Sequence, residues 1–134
     1  MTHLDTSFLV DLLRETATGT DGPARQLLAR LEDEELWVSV HVACELMAGA
    51  ELSSHPEGER AKVQALLQGV EVAYPDEKFA LTYGRLLAWL RRRGESVATM
   101  DLLIATAAAV VSAPIVTRNG KHFARIPGLT VVDY

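Results

Sequence analysis

Residues 99–122 read TMDLLIATAAAVVSAPIVTRNGKH, and the grammar of this stretch is the grammar of the whole chain. TMDLLIATAAAVV predicts a helix with alanine on its narrow faces, PIVT a short strand, and GKHFARI a turn or short helix. The alternation continues outward on both sides. Downstream, LTVVDY reads as a last strand. Upstream, Asp76 to Arg93 has the period of a long amphipathic helix, closed by Gly94 and carrying arginines in its last turn. EVAY before it is a short strand, and Pro56 opens a helix that runs to Gln68. WVSV, from Trp37 to Val40, is rich in β-branched residues and too short for a helix. It reads as a buried strand feeding the helix VACELMAGAEL. ARQLLARLEDE is helical, and Gly19, Gly22 and Pro23 separate it from the first helix, TSFLVDLLR, where Phe8, Leu9, Leu12 and Leu13 stand at helical spacing. The opening THLD is a strand that ends near Asp5. Strands alternating with helices predict an α/β, three-layer sandwich with a mainly parallel sheet flanked by helices and right-handed crossovers.

The 134 residues suit one domain spanning the whole chain, 1–134, with enough length to bury a sizeable core. Hydrophobic residues make up 49% and charged residues 23%, a globular balance without a disordered or low-complexity tract. A lone cysteine, Cys44, has no partner for an internal disulfide or a Cys-based zinc site, which points to a reducing compartment and hence the cytoplasm. No signal peptide is evident, and no apolar run approaches the length of a membrane span. The net charge of -5 weighs against binding nucleic acid through bulk positive charge. Local basic clusters nevertheless exist, at Arg91 to Arg93 and at Arg118, Lys121, His122 and Arg125.

In parallel α/β sheets ligands bind beyond the carboxyl ends of the strands, so residues just after strands or on the following helices are the first suspects. That rule selects Asp5, Glu45, Asp101 and Asn119. Each has an ordinary alternative. Asp5 stands where a helix begins and could cap it. Asp101 follows Thr99, a candidate N-cap, and would be a first-turn carboxylate facing the helix dipole. Glu45 shares a stripe with Val42, Leu46 and Gly49 on a mostly apolar helix, where a carboxylate needs a cation, a hydrogen-bond network or partial exposure. An ion pair with an arginine would meet that need.

The combination points further than its members. Carboxylates so far apart in sequence meet only through the fold, and once together their repulsion is relieved by hard divalent cations, which prefer oxygen ligands. Such a cation activates water, so no nucleophilic side chain is required. Accordingly there is no Ser-His-Asp order, glycine-rich phosphate loop or His pair at zinc spacing. His3, His41, His55 and His122 are scattered and read as surface or capping residues.

At these residues the chain resembles the PIN-domain family, and within it the VapC toxins of bacterial toxin–antitoxin pairs. LDTSFLVDLL resembles the family's opening, with Asp5 followed by Thr6 and Ser7. SVHVACELMAGA resembles the helix whose glutamate, matching Glu45, is a metal ligand. MDLLIATAA resembles the segment carrying a central aspartate, matching Asp101, and IVTRNGKHFARIPGLTV resembles the closing strand, loop and strand. The resemblance covers nearly the whole chain. It implies a PIN-like sandwich, an endoribonuclease dependent on Mg²⁺ or Mn²⁺, Asp5, Glu45 and Asp101 as metal ligands, an RNA substrate and neutralisation by a cognate antitoxin.

One position departs from the pattern: many members carry a fourth acidic residue where TRNGKHF places Asn119, which adds an oxygen but no charge. This puts a second metal ion in doubt and motivates an alternative reading, an inactive PIN-like module that binds RNA or a protein without cutting. A receiver-type phosphoacceptor fits badly, because DTS lacks the adjacent acids and the WVSV end lacks the phosphoacceptor aspartate. Ser7 and Thr117 are candidate partners that orient carboxylates or waters. Arg118 and Lys121 flank the site and are candidate RNA contacts, whereas Arg91 to Arg93 are explained by a helix C-terminus. The first helices offer surfaces for a homodimer or an antitoxin, and no membrane partner is expected.

Overall fold

A computed structural model describes residues 1–134. Its elements are β1 (Thr2–Leu4), α1 (Thr6–Thr18), α2 (Pro23–Arg30), β2 (Leu36–Ser39), α3 (Val40–Leu52), α4 (Pro56–Gln68), β3 (Glu71–Ala73), α5 (Glu77–Arg92), α6 (Thr99–Val110), β4 (Ile115–Val116), α7 (Gly120–Phe123) and β5 (Val131–Val132). The five strands form one sheet in the order β3-β2-β1-β4-β5, and every pairing is parallel. β1 is therefore central, and the chain winds outward from it in both directions. Right-handed crossovers place α1 to α4 on one face of such a sheet and α5 and α6 on the other. The helices pack mainly as the successive pairs α1–α2, α3–α4 and α5–α6.

The register puts His3 beside both Trp37 of β2 and Ile115 of β4, and Leu4 beside Val116. Strands this short hold because they are buried. Leu4, Val38, Ile115 and Val116 are nearly inaccessible, packed against Phe8 and Leu9 of α1, Leu102 and Ile104 of α6, and Phe123 of α7. Such near-continuous apolar strands are what a parallel sheet covered on both faces requires. No helix is long and apolar enough to cross a membrane.

Several boundaries differ from the sequence reading. The second helix ends at Arg30 rather than continuing through LEDE, because Glu32 to Glu35 would set acidic charge against the negative end of a helix. Val40 opens α3 instead of closing β2, and Ser39 is its N-cap, its Oγ accepting from Val42 N–H at 3.2 Å. Thr99 is not the cap of α6. Ala98 occupies that position and Thr99 is the first helical residue. The last strand is only Val131–Val132, since β5 pairs with nothing but the two-residue β4. The histidines need the largest correction. His3 lies buried in the central strand, stacked on Trp37, and burial followed by the nearby N-terminal charge lowers its pKa to about 4. His41 stacks on Phe79, its Nδ1 is buried without a partner, and burial lowers its pKa as well.

Candidate active site

Strand order reverses on either side of β1, so the carboxyl ends of β1 and β4 form the crevice where ligands bind in open α/β sheets. Asp5 follows β1 directly, and Thr117 follows β4. The Asp5 backbone still belongs to the sheet, its N–H donating to Val116 O at 2.9 Å. The side chain does not cap α1, although Asp5 sits at the N-cap position. Its Oδ2 accepts from Ser7 Oγ at 2.8 Å and from Thr117 Oγ1 at 2.7 Å instead. Those hydroxyls are held in turn: Arg118 N–H donates to Ser7 Oγ at 3.1 Å and Asn119 N–H to Thr117 Oγ1 at 2.9 Å. Asp5, Ser7 and Thr117 are all buried, and Oδ1 of Asp5 accepts no hydrogen bond from the protein.

Glu45 lies on the second turn of α3, half-buried. The salt bridges of the fold engage Glu34, Asp11, Glu51, Glu59 and Asp101, so the arginine partner considered for Glu45 is not what sustains it. Its Oε1 accepts from Thr6 Oγ1 at 2.6 Å. Asp101 is in the first turn of α6, where the helix dipole favours a charged carboxylate. Its pKa is nevertheless raised, first by burial and then by the negative charges of Asp5 and Glu45. Asp101 is therefore within reach of the charges of both Asp5 and Glu45. The one opposing influence is His122, whose Nδ1 stands 4.0 Å from Asp101 Oδ2. No three acidic, His or Cys side chains stand together in a ready-made coordination shell.

Asn119 holds the N-cap position of α7, is exposed, and makes no side-chain cap bond, so its amide is free to face the crevice or a ligand. Lys121 and His122 are exposed on α7. Arg118 is more committed than its sequence position suggests: its Nη1 bonds Asp11 Oδ1 at 2.6 Å while half of the side chain remains exposed. Arg93 lies over the Trp89 ring at 3.8 Å, in keeping with the structural account of the Arg91 to Arg93 cluster.

The sequence reading passed over Thr6, the Asp101–His122 proximity, and a second acidic group on α1. Asp11 is buried and accepts from Arg14, from Arg118 and from Tyr134 Oη at 2.6 Å. Glu15, also buried, accepts from Ala24 N–H at 3.1 Å and Arg25 N–H at 2.9 Å, and so caps α2 from another helix. A signal for both existed: Phe8, Asp11, Leu12 and Glu15 share one helical stripe, as Glu45 shares one with its apolar neighbours.

The donor set around the crevice is mainly oxygen, from carboxylates, hydroxyls and an amide, with His122 as the one imidazole beside it, and this suits a hard cation. The repulsion that raises the Asp101 pKa is what such a cation would relieve. By contrast the largest concavity, a groove of about 910 Å³ between α1, α2 and α4, is lined mainly by apolar side chains such as Leu12, Leu28, Leu31 and Leu66 and contains none of these carboxylates. It marks where the first helices leave an apolar face open.

Comparison with known proteins follows this geometry. A family model described as PIN domain matches residues 3–129. Over 131 residues the chain is 30% identical to Ribonuclease VapC1 of Haemophilus influenzae, covering 98% of this chain and 96% of that protein. It is 34% identical over 104 residues to the tRNA(fMet)-specific endonuclease VapC of Salmonella typhimurium, covering 78% and 79%. Among solved structures, VapBC2 from Rickettsia felis, bound to a DNA fragment from its promoter, superposes with a TM-score of 0.90 at 28% identity, over 99% of this chain and 98% of that one.

Proposed function

The chain belongs to the PIN-domain family, and from that premise we propose that Asp5, Glu45 and Asp101 hold Mg²⁺ or Mn²⁺ at the carboxyl ends of β1 and β4, with the Asn119 amide completing the crevice. The protein is a metal-dependent ribonuclease, the toxin of a toxin–antitoxin pair, acting on RNA and neutralised by its antitoxin. The cation is Mg²⁺ or Mn²⁺, and the protein acts in the cytoplasm, where an exposed free thiol such as Cys44 persists reduced.

The observation that carries this reading is positional: Asp5 follows β1 directly with its carboxylate held by Ser7 and Thr117, and Asp101 opens α6 within reach of the charges of Asp5 and Glu45, which add to burial in raising its pKa. Held by Asp5, Glu45 and Asp101, a divalent cation would supply Lewis-acid polarisation of the phosphate and activation of a water. The protein's own groups set the stage. Ser7 and Thr117 donate to one oxygen of Asp5 and leave the other without a protein donor. Thr6 fixes the rotamer of Glu45. Lys121 and the exposed part of Arg118 flank the crevice with positive charge for the RNA backbone, and a cation-activated water would make a side-chain nucleophile unnecessary.

The test is cleavage of labelled RNA by the purified protein, stripped with a chelator and reconstituted. Cleavage should vanish on stripping and return with Mg²⁺ or Mn²⁺ but not with Na⁺ at equal ionic strength. Undiminished cleavage after complete removal of divalent ions would reject the metal-site reading, and absence of cleavage under every condition, with RNA still bound, would favour the inactive module.

A further inference from the structure

Around the crevice one connection reaches from the last described residue to the candidate metal ligands. Tyr134 lies two residues beyond β5, its ring edge-on to Phe8 of α1 with centroids 5.1 Å apart and planes at 86°. Its hydroxyl donates to Oδ2 of the buried Asp11 at 2.6 Å. The other oxygen of Asp11 accepts from Arg14 and, at 2.6 Å, from Arg118. Arg118 sits in the loop between Thr117 and Asn119, and its backbone N–H donates to Ser7 Oγ, which donates to Asp5. The same loop is gripped from the sheet side, where Thr117 N–H donates to Val132 O at 3.1 Å. The segment from β5 to Tyr134 thus holds the 117–119 loop twice, once through the β5 backbone and once through the Tyr134 side chain.

We propose that Tyr134 is a positioning residue for the metal site, fixing through Asp11 and Arg118 the loop that orients Asp5 and presents Asn119. The proposal rests on the metal-site reading above and adds to it a residue that touches neither metal nor substrate. The physical argument is one of satisfaction. A buried carboxylate aims its cations well only when both oxygens are occupied, and without the phenol Oδ2 of Asp11 is left to turn toward Arg118 or admit water. Either change moves the guanidinium and with it the loop backbone. β5 cannot compensate, because its ladder is two residues long at the sheet edge. Burial and then the Asp11 bond hold the Tyr134 phenol far above its ordinary pKa, so it remains a donor at any working pH.

The experiment measures Mn²⁺ binding by electron paramagnetic resonance of the free ion, on the full chain without RNA, so that loss of an RNA contact is silent. Tyr134→Phe keeps the ring on Phe8 and removes only the hydroxyl, while Arg118→Met keeps the stem and removes the guanidinium. Both should weaken Mn²⁺ binding by about tenfold, with Tyr134→Phe melting only about 3 °C lower and regaining its cleavage rate at saturating Mn²⁺. Glu15→Gln, which loosens the α2 cap without touching this chain of contacts, should lower the melting temperature yet leave Mn²⁺ affinity unchanged. Unchanged affinity in folded Tyr134→Phe overturns the proposal; should that variant not fold, unchanged affinity in Arg118→Met does so. Asp5→Asn separates the two levels. If it loses Mn²⁺ while Tyr134→Phe does not, the positioning role alone falls, and if it binds Mn²⁺ as the parent does, the metal-site reading falls with it.

Discussion

Two sets of acidic side chains meet near α1, and the fold treats them oppositely. Asp11 and Glu15 are buried and fully answered, Asp11 by two guanidinium groups and a phenol, Glu15 by two backbone N–H groups at the start of α2. Asp5, Glu45 and Asp101 receive only hydroxyls or a distant imidazole, and burial followed by the charges of Asp5 and Glu45 raises the pKa of Asp101. A buried carboxylate with its own cation or helix end is a structural group. A carboxylate placed near others, without an arginine or lysine bonded to it, is one whose charge an outside cation would offset.

The largest effect that could break this distinction is expected at Asp101. Asp101→Asn should reduce metal-dependent RNA cleavage by about a thousandfold, equivalent to ~4 kcal/mol of transition-state stabilisation. Its melting temperature should not fall, because the substitution removes a repelling charge. Cleavage assays at fixed metal concentration alongside thermal unfolding check both halves. Full cleavage by the folded variant would make Asp101 a first-turn helix residue and nothing more.

Asp11→Asn should show the opposite pattern. Two arginines and a phenol lose their shared acceptor, which costs about 3 kcal/mol and lowers the melting temperature by roughly 10 °C. At saturating metal ion the folded protein should still cleave within about tenfold of the parent. If stability were untouched, the contrast between answered and unanswered carboxylates would lose its force.

A smaller effect, on pH dependence, concerns a buried group with no counter-charge. The His3 pKa is lowered to about 4 in the folded protein, while the unfolded chain takes up its proton near 6.5. Stability is therefore fully present above about pH 6.5 and is lost as pH falls toward 4, by on the order of 2 to 3 kcal/mol. Denaturant unfolding of the parent and His3→Leu at several pH values isolates this contribution, and identical pH profiles for the two would reject it.

Much of this was legible in the chain. The alternation of short β-branched runs with amphipathic segments fixed the α/β class, because sheet and helix periods are local properties of the sequence. Asp5, Glu45 and Asp101 drew attention in the sequence because the ends of parallel strands, and the helices that follow them, are where ligands bind. Ser7 and Thr117 were found by their nearness in sequence to those positions. Boundaries were less secure: the early stop at Arg30 depends on helix-end electrostatics, and the brevity of β5 depends on the length of β4.

The sequence by itself determined the kind of fold and the acidic inventory of the site, since both are written in residue type and spacing. Only the tertiary structure decided which acids are answered by the protein's own cations and helix ends and which are not. Asp11 and Glu15 are as apolar in context as Glu45. Their partners are Arg118 and Tyr134 for one, and the first N–H groups of the next helix for the other. Likewise His3 looks like any histidine near a terminus until β2 and β4 close over it. The reason is physical: a charge is costly or cheap according to what surrounds it in space, and those surroundings exist only after distant segments have packed together.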